Sequence, residues 1–206
     1  DPCIVLWNAL SGTRVRTLEG HTSYVRALFF IDSKHLVSAS EDRTVALWDT
    51  ASGVRKSTIV AHKHSVLALG KLSRNTFASA SGDTTAKVWD AETSRCLCCF
   101  EGHRDWVHGI APLSATRFLT CSSDRSVKLW DTASGAMAHS LDDAHSNWIR
   151  TIALIDENTF ATGSSDHLVK IWDLRTWSCF HSLAAHSCAV WCVAAPEGGT
   201  SLLSVG

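Results

Sequence analysis

Short apolar runs that alternate with polar residues set the pattern of this chain. Val45, Leu47 and Val88 lead into tryptophans in β-branched runs bounded by Asp, Gly, Ser and Asn. The period is two, and no stretch sustains helical spacing. Between residues 25 and 60 the alternation predicts four strands, near Val25 to Phe30, Leu36 to Ser40, Val45 to Trp48 and Arg55 to Val60. At the first of these, Val25 points into the packing while Tyr24 and Arg26 turn the other way.

The pattern repeats. The stretch Ser38-Ala39-Ser40-Glu41-Asp42-Arg43-Thr44-Val45-Ala46-Leu47-Trp48-Asp49, preceded by Gly20-His21, returns from Ser79 to Asp90 after His62, from Thr120 to Asp131 after Gly102-His103, and from Thr162 to Asp173 after His145. The His-to-Trp interval is 27 residues each time (21 to 48, 62 to 89, 103 to 130, 145 to 172). Trp7, Trp48, Trp89, Trp130 and Trp172 stand 41, 41, 41 and 42 residues apart. The extra residue falls near Asp142 and Asp143, where a loop tolerates an insertion that a paired strand does not. The units run approximately 20–60, 61–101, 102–143 and 144–184, with partial units at 1–19 and 185–206.

Four short strands in about 40 residues, marked by Gly-His and Trp-Asp, resemble the WD-repeat β-propeller family over essentially the whole chain. Four Trp-Asp marks and a Trp7-Asn8 variant stand in register. The resemblance implies an all-β propeller of four-stranded antiparallel blades. About five blade-equivalents are present, four of them full and one split between the two ends. Counting 27 residues on from His186 runs past the end onto Trp7, yet Leu202-Leu203-Ser204-Val205-Gly206 is one residue short of the Ser-x-Ser-x-Asp spacing. Propellers of this family most often close with seven blades, so the expectation is part of a longer ring rather than a closed ring of five.

His21, Ser38, Asp42 and Trp48 imitate a Ser-His-Asp triad. Three further sets argue against catalysis: His62, Ser79, Asp83 and Trp89; His103, Thr120, Asp124 and Trp130; and His145, Thr162, Asp166 and Trp172. An active site is needed once, whereas a strut is needed in every blade. In the family these positions form a buried chain from Trp to Ser or Thr to His to Asp, and the resemblance carries that structural role onto these residues. Ser38 and Ser40 share one face of their strand, so either could take part.

Charge and cysteine content narrow the function classes. Nineteen Lys and Arg against twenty Asp and Glu leave no basic surplus for nucleic acid or an anionic membrane. Eight cysteines without a signal peptide, three of them crowded at Cys96, Cys98 and Cys99, read as reduced thiols of an intracellular protein, cytoplasmic or nuclear. Cys96-x-x-Cys99 is half a metal site with no second half, and His62-Lys63-His64 lacks a third ligand. Neither metal nor cofactor is expected. No apolar run approaches the ~20 residues of a spanning helix.

Stacked blades leave loops on two end faces, which suits docking more than chemistry. On the face of the inter-unit loops the candidates are Tyr24, Arg26, Glu41, Trp106, His108, Trp148, Arg150 and Trp191. The tryptophans supply apolar anchors, and Arg26 and Arg150 hold acidic or phosphorylated groups. The expected function is a non-catalytic scaffold for a protein or peptide partner, with no small-molecule substrate. Enzymes built on propellers use unique polar residues near the channel, whereas here the polar residues are the repeated ones. Gly163 to Arg175 also resembles the box ending Trp-Asp-x-Arg that marks substrate receptors of cullin ubiquitin ligases, with Arg175 the distinguishing residue where other units carry Ala51 and Ala133. Trp177 is the one tryptophan outside both patterns.

Overall fold

The computed structural model describes residues 1–184, 186–196 and 201–206. An N-terminal antiparallel pair, β1 (Ile4–Trp7) and β2 (Arg14–Leu18), precedes four four-stranded sheets in chain order. The first blade is β3 (Val25–Phe30), β4 (His35–Ser40), β5 (Thr44–Asp49) and β6 (Arg55–Val60). The second is β7 (Val66–Lys71), β8 (Thr76–Ser81), β9 (Ala86–Asp90) and β10 (Cys96–Phe100). The third is β11 (Val107–Pro112), β12 (Arg117–Ser122), β13 (Val127–Asp131) and β14 (Ala136–Leu141). The fourth is β15 (Ile149–Leu154), β16 (Thr159–Ser164), β17 (Val169–Asp173) and β18 (Cys179–Leu183), followed by the pair β19 (Cys192–Ala194) and β20 (Leu203–Val205).

Each blade is an antiparallel meander whose first strand lies innermost, with β3, β7, β11, β15 and β19 packed successively against one another. The strands expected around Leu36 and Val45 each gain a residue or two at their ends. The arc is open: among the described residues, β1–β2 and β19–β20 remain separate two-stranded sheets, as in a partial propeller.

Alternation builds the core between blades. In β8, Phe77, Ser79 and Ser81 share one face and Ala78 and Ala80 the other. Phe77 and Trp89, which stand opposite each other across β8 and β9, pack on Val37, Ala39, Val45 and Leu47 of the preceding blade. Ala78, Ala80, Ala86 and Val88 meet Phe118 and Trp130 of the next. Leu119, Cys121 and Val127 meet Phe160 and Trp172 in the same way. At these three interfaces a bulky aromatic face lies on a small aliphatic one.

Every full innermost strand carries one irregularity. Pairing skips a residue between Val25 and Ala27, Val66 and Ala68, Val107 and Gly109, and Ile149 and Thr151. The unpaired residues of these β-bulges are Arg26, Leu67, His108 and Arg150. A bulge bends its strand and re-aims that side chain, here at the end face where the connections between blades lie.

Candidate functional site

The buried polar sets form the same relay in each full blade. The Trp48 indole N–H donates to Ser38 Oγ (2.8 Å), which lies 2.7 Å from His21 Nε2, and His21 Nδ1 lies 2.8 Å from Asp42 Oδ2. Trp89, Ser79, His62 and Asp83 repeat this at 2.8, 2.7 and 3.0 Å. Trp130, Thr120, His103 and Asp124 give 2.7, 2.7 and 2.8 Å. Trp172, Thr162, His145 and Asp166 give 2.8, 2.7 and 2.9 Å. Ser40 stays outside the relay: its hydroxyl donates to the Ser23 carbonyl and accepts from the Asp42 amide. In the last unit His186 Nε2 meets Ser204 Oγ at 2.8 Å, one residue later than elsewhere.

Donor chemistry fixes the direction of the relay. An ionised carboxylate only accepts, so the imidazole proton sits on Nδ1 facing it; Nε2 then accepts the hydroxyl hydrogen, and the hydroxyl oxygen accepts from the indole N–H. Burial acts most strongly on Asp42 and pushes its carboxyl up; hydrogen bonds from Thr44, the Thr22 amide and His21 outweigh that and hold it at about 2. Asp83, Asp124 and Asp166 are lowered by the same kind of balance. Burial also pushes the His145 imidazole down, favouring the neutral form. Ser38, Ser79, Thr120 and Thr162 are fully buried, so none of these hydroxyls can meet a substrate in this arrangement.

On the end face carrying the inter-blade loops, a second set of contacts recurs at an offset of fifteen residues, but with different chemistry each time. Arg26 Nε donates to Glu41 Oε1 at 2.7 Å, and Nη2 reaches the same oxygen. His108 Nε2 lies 2.7 Å from Ser123 Oγ, and Arg150 Nε donates to Ser165 Oγ at 2.7 Å. In the second blade the corresponding positions are Leu67 and Gly82. A side chain on Gly82 would run into the His64 ring, which packs on Trp106 with centroids 4.9 Å apart.

Around one opening the structure brings together Arg26, Trp106, His108, Arg150 and Trp191. Trp148 lies beside it, with the Arg150 guanidinium carbon 5.3 Å from its ring centre and 4.1 Å from that of Trp191. Tyr24, Trp106, Trp148 and Trp191 are 59, 41, 47 and 60 % exposed. Tyr24 does not line the opening. Burial and, next, the Arg150 charge hold the His108 imidazole down at about 4. Ser123 and Ser165 were not singled out in the sequence; their signal was the constant offset from the residue that bulges.

Arg175 lies at the other end of its blade. Its turn bonds to the connection between β15 and β16, through the Leu174 amide and the Asn158 carbonyl at 2.7 Å. The backbone is held by Asp173 Oδ1, which accepts from the Arg175 and Thr176 amides, while the Arg175 residue is exposed. Trp177 occupies the left-handed position (φ 56°) that glycine fills at Gly53 and Gly135. Its indole stacks on His139 of the previous blade (4.0 Å, 19°) and packs with Phe160, so the bulk replaces glycine as an inter-blade contact. Among the described residues no group of three or more His, Cys, Asp or Glu side chains forms a metal-binding cluster, and all eight cysteines are free. Among the described residues no helix is long and apolar enough to cross a membrane.

Comparison with known proteins agrees with this geometry. The family model for the WD domain, G-beta repeat, matches residues 12–49, 53–90, 94–131, 137–173 and 177–206. Each match joins the outer strand of one sheet to the inner strands of the next. A stretch of 46 residues is 46 % identical to DDB1- and CUL4-associated factor 13 of Dictyostelium discoideum. That match covers 22 % of this chain and 10 % of the relative.

Proposed function

The chain belongs to the WD40-repeat family, and on that premise we propose that it is a non-catalytic platform that binds a peptide or protein partner on the face of its inter-blade loops. The observation that carries this is the arc of exposed rings, Tyr24, Trp106, Trp148 and Trp191, held at the ends of rigid strands. Aromatic side chains bury large areas with few rotatable bonds, and a preformed face spares the partner part of the ordering cost. The groups able to imitate hydrolytic chemistry are enclosed in the relay, which supports a binding role over a catalytic one. Free thiols at exposed Cys96, Cys99, Cys179, Cys188 and Cys192 fit a reducing compartment, so the platform works inside the cell. The test is quantitative co-purification from cell extract with the parent and with the Trp106→Ala/Trp148→Ala variant. Partners enriched by the parent are expected to be lost from a variant that still melts cooperatively; equal recovery would put the partner elsewhere.

A second reading is favoured by the resemblance at Gly163 to Arg175 and by the similarity to a DDB1- and CUL4-associated factor. In it the chain is part of a substrate receptor for a cullin-type ubiquitin ligase. Arg175 and its turn would dock on the adaptor, leaving the opposite, tryptophan-bearing face for the substrate. Arg175→Ala is expected to abolish co-purification with the adaptor while sparing partners of the other face. Undiminished adaptor recovery would exclude the box as the docking element.

A further inference from the structure

Among the described residues, the rim of the opening carries one charge that nothing on it answers. Arg26 is neutralised by Glu41, Leu67 is apolar, and His108 shares a hydrogen bond with Ser123 and is uncharged near neutral pH. Arg150 is different, because its partner Ser165 is neutral. Among the described residues, none that lines the opening is acidic. Trp148 and Trp191 flank the guanidinium, so ring contact and the Ser165 bond hold it in one orientation. Nε is used, while the four hydrogens of the two terminal nitrogens have no protein acceptor among the described residues. What is presented is the two-pronged edge of a guanidinium that has already lost its conformational freedom.

Resting on the interaction reading above, we propose that Arg150 is the residue that reads the partner, and that it takes a single carboxylate of a peptide through its two terminal nitrogens. Trp148 and Trp191 then cover the carbon chain next to that carboxylate. The carboxylate comes from an Asp or Glu side chain or from a free chain end. A guanidinium fork matches the two oxygens of a carboxylate, and one uncompensated cation balances one negative charge. A phosphorylated side chain carries close to two charges and is suited to clusters of arginines. Here the second arginine is already occupied by Glu41. A cationic ligand such as a methylated lysine is excluded by the same arrangement, since the space between the indoles is filled by a fixed positive charge.

The full chain would be immobilised and offered randomised nonapeptide pools that differ only at the central residue: Glu, Gln, phosphoserine or Lys, all with amidated ends. A fifth pool carries central Gln and a free C-terminal carboxylate. Retention of the Glu pool, the free-end pool, or both is expected to exceed that of the amidated Gln pool at least about tenfold, as a hydrogen-bonded charge requires. The pool that gains identifies the source of the carboxylate. Arg150→Lys and Arg150→Gln are both expected to abolish the preference, Lys because it keeps the charge but loses the fork. Equal retention of Glu and Gln pools, preference for phosphoserine or Lys, or an unchanged preference in both variants would overturn the assignment. Retention without charge preference overturns the carboxylate alone, whereas retention of no pool by the parent overturns the interaction reading with it.

Discussion

The interior relay and the rim pairs are both polar contacts set by fixed offsets along the chain, yet only one of them is kept the same from blade to blade. Inside, the indole, hydroxyl, imidazole and carboxylate recur with donor distances that differ by no more than about 0.3 Å. On the rim, the same pair of positions holds Arg26 with Glu41, Leu67 with Gly82, His108 with Ser123 and Arg150 with Ser165. The difference is solvent. In the relay each group uses the hydrogen that its neighbour leaves free, so replacing one member strands another without water to rescue it. At the rim water can stand in for a lost partner, and chemistry there can vary while the fold stays the same.

That contrast is broken most directly at a buried indole of the relay. Trp89 packs on the previous blade and closes the relay on Ser79, so Trp89→Ala is expected to cost ~3–5 kcal/mol in urea unfolding. A loss below ~1 kcal/mol would mean that blades hold together without this contact. Asp83→Ala removes the acceptor of the His62 proton and should cost ~1–3 kcal/mol. The carboxylates also set an acid limit. Asp42 is held at about 2 against an ordinary 3.8, so the folded state favours its ionised form. Its contribution is complete above the ordinary value and fades as pH falls through the folded one. The stability gap between the parent and Asp42→Asn is therefore expected to narrow between neutral pH and pH ~2. A gap that stays constant would show that the carboxylate's charge is not what the fold uses.

How much of this was legible in the sequence follows from which features have a period. Apolar alternation and the 27-residue interval gave the strands and the units, because side chains on one face of a strand must recur every second residue. The bulges were not legible. Each blade carries its bulge at the same place, so the extra residue never disturbs the spacing between repeats. Arg26 looked like an available cation for the same reason: nothing in an alternation pattern pairs it with Glu41 fifteen residues on. Compensation between strands was equally hidden. Lys87 and Lys170 donate to the carbonyls of Ala61 and Ala144 and lie over Trp89 and Trp172. The first blade has Ala46 at that position, and Arg55 from the next strand over donates to the Gly20 carbonyl and covers Trp48 instead. In the third blade Lys128 turns to Ser140 and Asp142, where the extra residue lies. Arg55→Ser is expected to cost about 1 kcal/mol, and Ala46→Lys added to it should recover most of that. Failure of the double variant to recover would show that the two cations are not interchangeable.

The smallest expected change in stability tests the rim. Trp148 stands 47 % exposed, contacts the Arg150 guanidinium and takes no part in a relay. Trp148→Ala is therefore expected to shift the unfolding free energy by no more than about 0.5 kcal/mol, although it removes as large a ring as Trp89→Ala does. Its effect should fall on recognition: without one wall, the Arg150 fork is free to swing, and the preference for a carboxylate-bearing peptide pool should drop severalfold. If Trp148→Ala instead destabilises the chain as strongly as the interior variant, the ring belongs to the core of the blade. The division between a constant interior and a variable rim would then have to be redrawn around it.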